Sequence, residues 1–137
     1  MNILDTRDLN DRLIELAQSL ADAMNEATSE KYDGDNIQEK NYEKIKTTLS
    51  SMWESEIDEF FELMEMRDEI SEWNYGVELI PIEDFTEYCQ DLLEDCGEIP
   101  KDLPWYIEVD WVATAKNISV DYSIITYQGT DYYYRNC

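Results

Sequence analysis

Histidine is absent from the 137 residues, and basic side chains are scarce: ten Lys and Arg stand against 33 Asp and Glu, leaving a formal net charge of −23. Without imidazole the commonest general base and the usual catalytic triads are missing, and no GxSxG, P-loop or Rossmann fingerprint takes their place. Acid pairs can hydrolyse glycosides, but carboxylates this abundant single out no pair. The chain is therefore not read as an enzyme, and neither a catalytic residue nor a cofactor is assigned. There is no CxxC motif, and Asp33-Gly34-Asp35-Asn36 lacks the ligand spacing of an EF-hand, so no metal site is assigned either. No apolar run approaches the ~20 residues that span a bilayer. The N-terminus has neither a basic n-region nor an apolar h-region. These absences lead to the expectation of a soluble protein of the bacterial cytoplasm. A negative surface also repels anionic lipid and nucleic acid, so direct binding to membrane or nucleic acid is not expected.

What is present argues for folding. The chain is 43% apolar and 12% aromatic, with ten Tyr and four Trp, whereas acidic tails usually lack aromatics. Its length suits one domain with a modest core, or two small subdomains. Cys89 and Cys96, seven residues apart on a predicted helix, are separated by about 10 Å of rise, too far for a disulfide. They read as small core residues on a face with Phe85, Tyr88 and Leu92; Cys137 reads as an incidental free thiol.

The acids are not scattered. Residues 54 to 98 hold seventeen carboxylates against one basic residue, Arg67, a net charge of −16 within this stretch. If 41–72 is a helix, Glu54, Asp58, Glu62, Glu65, Glu69 and Glu72 follow helical spacing and form one outward ridge about 27 Å long. A helix over 83–96 repeats the device with Glu83, Glu87, Asp91 and Glu94 or Asp95. Each adjacent like-charge pair costs a helix about 0.2–0.5 kcal/mol, and ordinary solvated faces relieve this by mixing in lysine. Here the lysines are missing. A surface that keeps such self-repulsion invites a strongly positive partner. Glu56 falls inside the apolar stripe of the same helix, with no account from the sequence.

The periodicity divides the chain near Trp73. Before it, Thr6 is read as the cap of a first helix with Leu9, Leu13, Leu16, Ala17, Leu20 and Met24 on one face. The second helix sets Ile45, Leu49, Met52, Trp53, Ile57, Phe60 and Met64 opposite the acids. After Trp73, strands are expected over Tyr75–Ile82, Trp105–Val109, Ser123–Tyr127 and Thr130–Arg135. The last two flank a short Gln128-Gly129 loop, Gly97 stops the acidic helix, and Asp110 caps a short helix through Ile118. The expected fold class is α+β: an antiparallel helical hairpin over 1–72, then a small antiparallel sheet with two helices over 73–137. The aromatic tail is dense for so short a segment, and strand alternation sends some of its rings outward. Trp105, Trp111, Tyr132, Tyr133 and Tyr134 are accordingly candidates for a homodimer interface.

The segments Gly76-Val77-Glu78-Leu79-Ile80, Phe85-Thr86-Glu87-Tyr88 and Leu92-Leu93-Glu94-Asp95-Cys96-Gly97 resemble the acidic core of the ArdA antirestriction family. The run from Trp105 through Trp111, then Ala115, Asp121-Tyr122 and Gly129 to Arg135, is similar to that family's C-terminal region. A weaker likeness lies at Leu4–Leu9. The resemblance covers roughly residues 74–135, and the helical N-terminal half departs from the family pattern. It implies a phage- or plasmid-borne, usually dimeric mimic of DNA that occupies the DNA-binding groove of type I restriction-modification enzymes. Its partner is then a basic DNA-binding protein or nuclease complex of the host. The eleven acids from Glu54 to Asp95 named above are the candidate phosphate mimics. The alternative within binding proteins is an inhibitor of a CRISPR nuclease or a nucleoid DNA-binding protein by the same charges. The alternative of a different class is a cation-binding or enzymatic α+β domain.

Overall fold

The computed structural model describes residues 2–28, 31–34, 37, 41–49, 51–100 and 102–135. The fold is α+β, with five α-helices and one four-stranded antiparallel sheet among these residues. It separates into two compact units, Asp5–Gly76 and Met1–Leu4 with Val77–Cys137.

In the first unit, helix α1 (Thr6–Ala27) buries Leu9, Leu13, Leu16, Ala17, Leu20, Ala21 and Met24, the stripe its spacing predicts. Its cap is Asp5 rather than Thr6: an Asp5 oxygen accepts the Arg7 amide at 2.8 Å, and the Arg7 side chain, hydrogen-bonded to the same carboxylate, holds that group below the usual carboxylate range. Thr6 is fully buried instead, and its hydroxyl donates to the Trp73 carbonyl at 2.8 Å. The expected helix over 41–72 is two helices, α2 (Tyr42–Thr48) and α3 (Glu54–Glu69), with a 3₁₀ turn at Ser51–Trp53 between them. The apolar period continues through the break, yet Met52 is 83% exposed, so its place in the stripe gives no packing to hold a continuous helix. Helix α1 packs on α3. An Arg12 fork on α1 grips Glu59 on α3, with Nε to Oε2 and Nη2 to Oε1 both at 3.1 Å. Trp73 Nε1 donates to Asn10 Oδ1 at 3.0 Å.

The second unit holds the sheet, in the order β1-β2-β4-β3, made of β1 (Leu4–Asp5), β2 (Glu78–Pro81), β3 (Ser123–Tyr127) and β4 (Thr130–Tyr134). Strands β3 and β4 form an antiparallel hairpin whose last pair is Tyr127 with Thr130. Gln128 (φ 51°) and Gly129 (φ 79°) both take left-handed backbone, as a two-residue turn matched to strand twist requires. Helix α4 (Phe85–Asp95) ends where Gly97 (φ 76°) turns left-handed. There the Glu98 amide bonds the Leu93 carbonyl at 3.0 Å and the Gly97 amide bonds that of Glu94 at 3.2 Å, a Schellman closure. Helix α5 (Trp111–Ile118) starts at Asp110, whose Oδ1 accepts the Ala113 amide at 3.0 Å. Helices α4 and α5 pack together, and Ile80, Phe85, Cys89 and Ala115 form the unit's core with Tyr88, Tyr122 and Tyr133 at its edge.

Two local expectations fail here. Trp105–Val109 is not a strand but a turn and extended chain, because its alternating residues find no strand to pair with. Cys96 is exposed, since it sits at the C-cap of α4 after the buried face has ended, whereas Cys89 is fully buried and burial pushes its thiol pKa up. Cys137 lies outside the described residues, as do Asp35 and Asn36 of the chain break after α1.

Candidate acidic interface

The buried side chains of α3, Ile57, Phe60, Phe61, Leu63, Met64 and Met66, take up more than half of the helix circumference. At 100° per residue, Glu54, Asp58, Glu62, Glu65 and Glu69 all fall within the remaining arc and span about 80° of it. Glu54, Asp58, Glu65 and Glu69 are exposed and Glu62 is half-buried. These five acids form a ridge about 22 Å long. Glu72, the expected sixth member, lies beyond the helix end at the start of a 3₁₀ turn over Trp73–Tyr75, so it does not extend the ridge by helical geometry. Arg67 is exposed, but nine residues from Asp58 place it about 180° away on the opposite side of the helix.

The break before Glu54 has an electrostatic consequence. It makes Glu54 and Glu56 first-turn residues of α3, where unsatisfied amides and the helix dipole favour negative charge by about 0.3–1 kcal/mol each. The ridge also has a neighbour that the sequence did not disclose. Asp58, Glu62 and Glu65 share a shallow groove of 390 Å³ with Phe61 and with Tyr42 from α2, whose rings meet edge to face at 4.8 Å. Lys46 Nζ lies 3.0 Å from Tyr42 Oη, and the Tyr42 hydroxyl, then more distantly Asp58, raises the lysine pKa. One end of the ridge is thus bordered by a cation.

Two further acids of α3 behave differently from the ridge. Glu59 is drawn toward α1 by Arg12, with which it forms an ion pair at 3.1 Å, its side chain 15% exposed. Glu56 is half-buried, and its Oε2 is enclosed with no hydrogen-bond partner among the described residues. Nothing in the sequence signals the Arg12 partnership, because it joins residues 47 apart.

On α4 the second set of acids is arranged as the spacing predicts. Glu87, Asp91 and Asp95 are exposed and Glu94 is half-buried, its carboxylate accepting from Gln90 at 3.3 Å, all on the side away from Phe85 and Cys89. Glu83 is exposed in the 3₁₀ turn Ile82–Asp84 that leads into the helix. Among the described residues no group of three or more carboxylates or thiols is placed to hold a metal ion, and no helix is long and apolar enough to cross a membrane.

The aromatic candidates separate by burial. Tyr132 and Tyr134 are 8% and 2% exposed, so these two rings fill the core instead of offering a surface. Tyr133 is half-buried against Phe85, with ring centroids 4.5 Å apart, and Trp111 is half-buried at the start of α5. Trp105 is 91% exposed, beside Tyr106 at 70%, a ring the sequence reading left out. A scan of protein-family models and searches of curated proteins and of solved structures find no match to this chain, so the acidic faces stand on their own geometry.

Proposed function

We propose that the protein is an acidic DNA mimic that occupies the DNA-binding groove of a bacterial defence enzyme, a type I restriction-modification enzyme being the first candidate. The observation that carries this reading is the α3 ridge: five carboxylates in one narrow arc, backed by a packed apolar face, with the helix's own arginine turned away. Carboxylates three or four residues apart recur every ~4.5–6 Å along a helix, and duplex DNA carries a phosphate every ~3.4 Å on each strand. A ridge held by a folded core meets a basic groove with little ordering entropy to lose. The reading includes an antiparallel pairing of α1 with α3, supported by the bonds that Thr6 and Asn10 near the start of α1 make to Trp73 just past the end of α3. It also places the protein in the host cytoplasm, where such enzymes act. A homodimer belongs to the same proposal through the ArdA resemblance, with the half-buried Trp111 and Tyr133 as its aromatic contacts in place of the buried Tyr132 and Tyr134.

The test is binding to a purified, DNA-free type I methyltransferase across a salt series. Pairing of several carboxylates with basic groups predicts a steep loss of affinity above 0.1 M salt, where the Debye length falls below ~10 Å. Binding indifferent to salt, or none at low salt, contradicts the reading.

A further inference from the structure

The loop between α4 and α5 carries an apolar feature that the acidic ridges do not explain. The Ile107 amide bonds the Pro104 carbonyl at 2.9 Å, closing a β-turn with Trp105 and Tyr106 at its two corner positions. Their rings stand nearly perpendicular, at 86° with centroids 5.7 Å apart, so each braces the other. Both are largely in solvent, and Ile107 beside them is 46% exposed. Tryptophan and tyrosine are the residues that most often carry binding energy when a partner buries them, and here they spend it on nothing within the described fold. The surroundings are acidic: Glu98, Asp102, Glu108 and Asp110 are all exposed on the same connection, whose sequence carries one base, Lys101, against these four acids.

We propose that this turn is a docking knob, in which Trp105 and Tyr106 enter an apolar pocket with a basic rim on the protein that the acidic ridges engage. The proposal rests on the mimicry reading for the identity of that protein and adds to it a contact that charge does not supply. Charge complementarity selects the occupant. A second copy of this chain, at net −23, would set Asp102, Glu108 and Asp110 against their own counterparts, and like charges juxtaposed across an interface are costly. A basic rim makes the same three carboxylates favourable. Ridge and knob then divide the work: the ridge sets the salt dependence of binding, and the knob supplies an anchor whose contribution survives added salt.

The experiment compares the full-length protein with W105A/Y106A, W105F and a ridge variant carrying E62Q, E65Q and E69Q, all titrated against the purified type I methyltransferase at low and high salt. Exposure of both rings predicts that the double variant folds, which circular dichroism checks. The proposal expects W105A/Y106A to lose roughly tenfold or more in affinity at both salt concentrations. The ridge variant should lose affinity chiefly at low salt, and W105F should lie between. Acrylamide quenching of tryptophan fluorescence should drop on complex formation in the wild type and change much less in W105F. Unchanged affinity of W105A/Y106A overturns the knob while leaving the mimic reading intact. Absence of any wild-type binding overturns both. A wild-type dimer that W105A/Y106A dissociates assigns the turn to self-association and overturns the proposal.

Discussion

Individual side chains account for where the chain turns and for a pH-sensitive pair in the second unit. Asp110, Gly97 and the Gln128-Gly129 pair were legible in the sequence because each acts on backbone within a few residues of itself. Thr6 was misread for the complementary reason: its bond to Trp73 spans 67 residues, and no local pattern announces such a partner. The same is true of Tyr88 and Tyr122, whose phenols interact with each other and with Glu78 at the edge of the core. Burial is the first cause that raises both phenol pKa values above the ordinary 10.0, and for Tyr88 the neighbouring Tyr122 and Glu78 raise it further. A raised folded-state pKa means that the neutral phenols stabilise the fold fully below the unfolded value near 10, and that this contribution is lost as pH rises through the folded values. The urea midpoint, followed by tryptophan fluorescence, is therefore expected to hold up to about pH 10 and to fall as pH rises above it. In Tyr88→Phe the fall should be smaller. An equal fall in both proteins would remove the role assigned to this pair.

At the scale of elements, periodicity identified the buried face of α1 and the start of that of α4, where Phe85 and Cys89 are buried but Leu92 and Cys96 are exposed, and it overran at both ends of the acidic helix. Apolar spacing from Ile45 through Trp53 is compatible with a continuous helix, and no Gly or Pro marks the break at 49–53. Only the packing, which leaves Met52 in solvent, decides against it. Likewise Trp105, Ile107 and Val109 alternate as a strand would, and alternation alone supplies no partner strand. The shorter α3 changes the energetics of the ridge. Glu54, Asp58, Glu62, Glu65 and Glu69 make four adjacent like-charge pairs, a cost of about 1–2 kcal/mol, and the first-turn position of Glu54 offsets part of it. Changing Glu62, Glu65 and Glu69 to Gln relieves three of those pairs while keeping Glu54 at the helix start and Asp58 near Lys46. The melting temperature of this triple variant is expected to stay level or rise by a few degrees, corresponding to about 0.6–1.5 kcal/mol. A clear fall, measured by calorimetry, would mean that these acids stabilise the fold and that no self-repulsion is stored in the ridge.

For the whole molecule, composition excluded more than it identified. The excess of carboxylates suggests the proposed binding role, and the ridge on α3 supports that proposal with a geometry. The division of aromatic residues between core and surface was beyond sequence reading, because Tyr132, Tyr133 and Tyr134 differ only in which face of β4 they occupy and in what covers it. The mimicry account makes its sharpest demand on competition. If protein and duplex share one basic groove, they exclude each other, and more of either must displace the other. The direct measurement is the affinity of a purified type I methyltransferase for its duplex in the presence of increasing amounts of this protein. The account predicts that the apparent Kd for DNA rises in proportion to inhibitor, that excess duplex reverses the effect, and that E62Q/E65Q/E69Q weakens it. A ternary complex with undiminished DNA affinity would contradict the account and make the protein an allosteric ligand rather than a substitute for DNA.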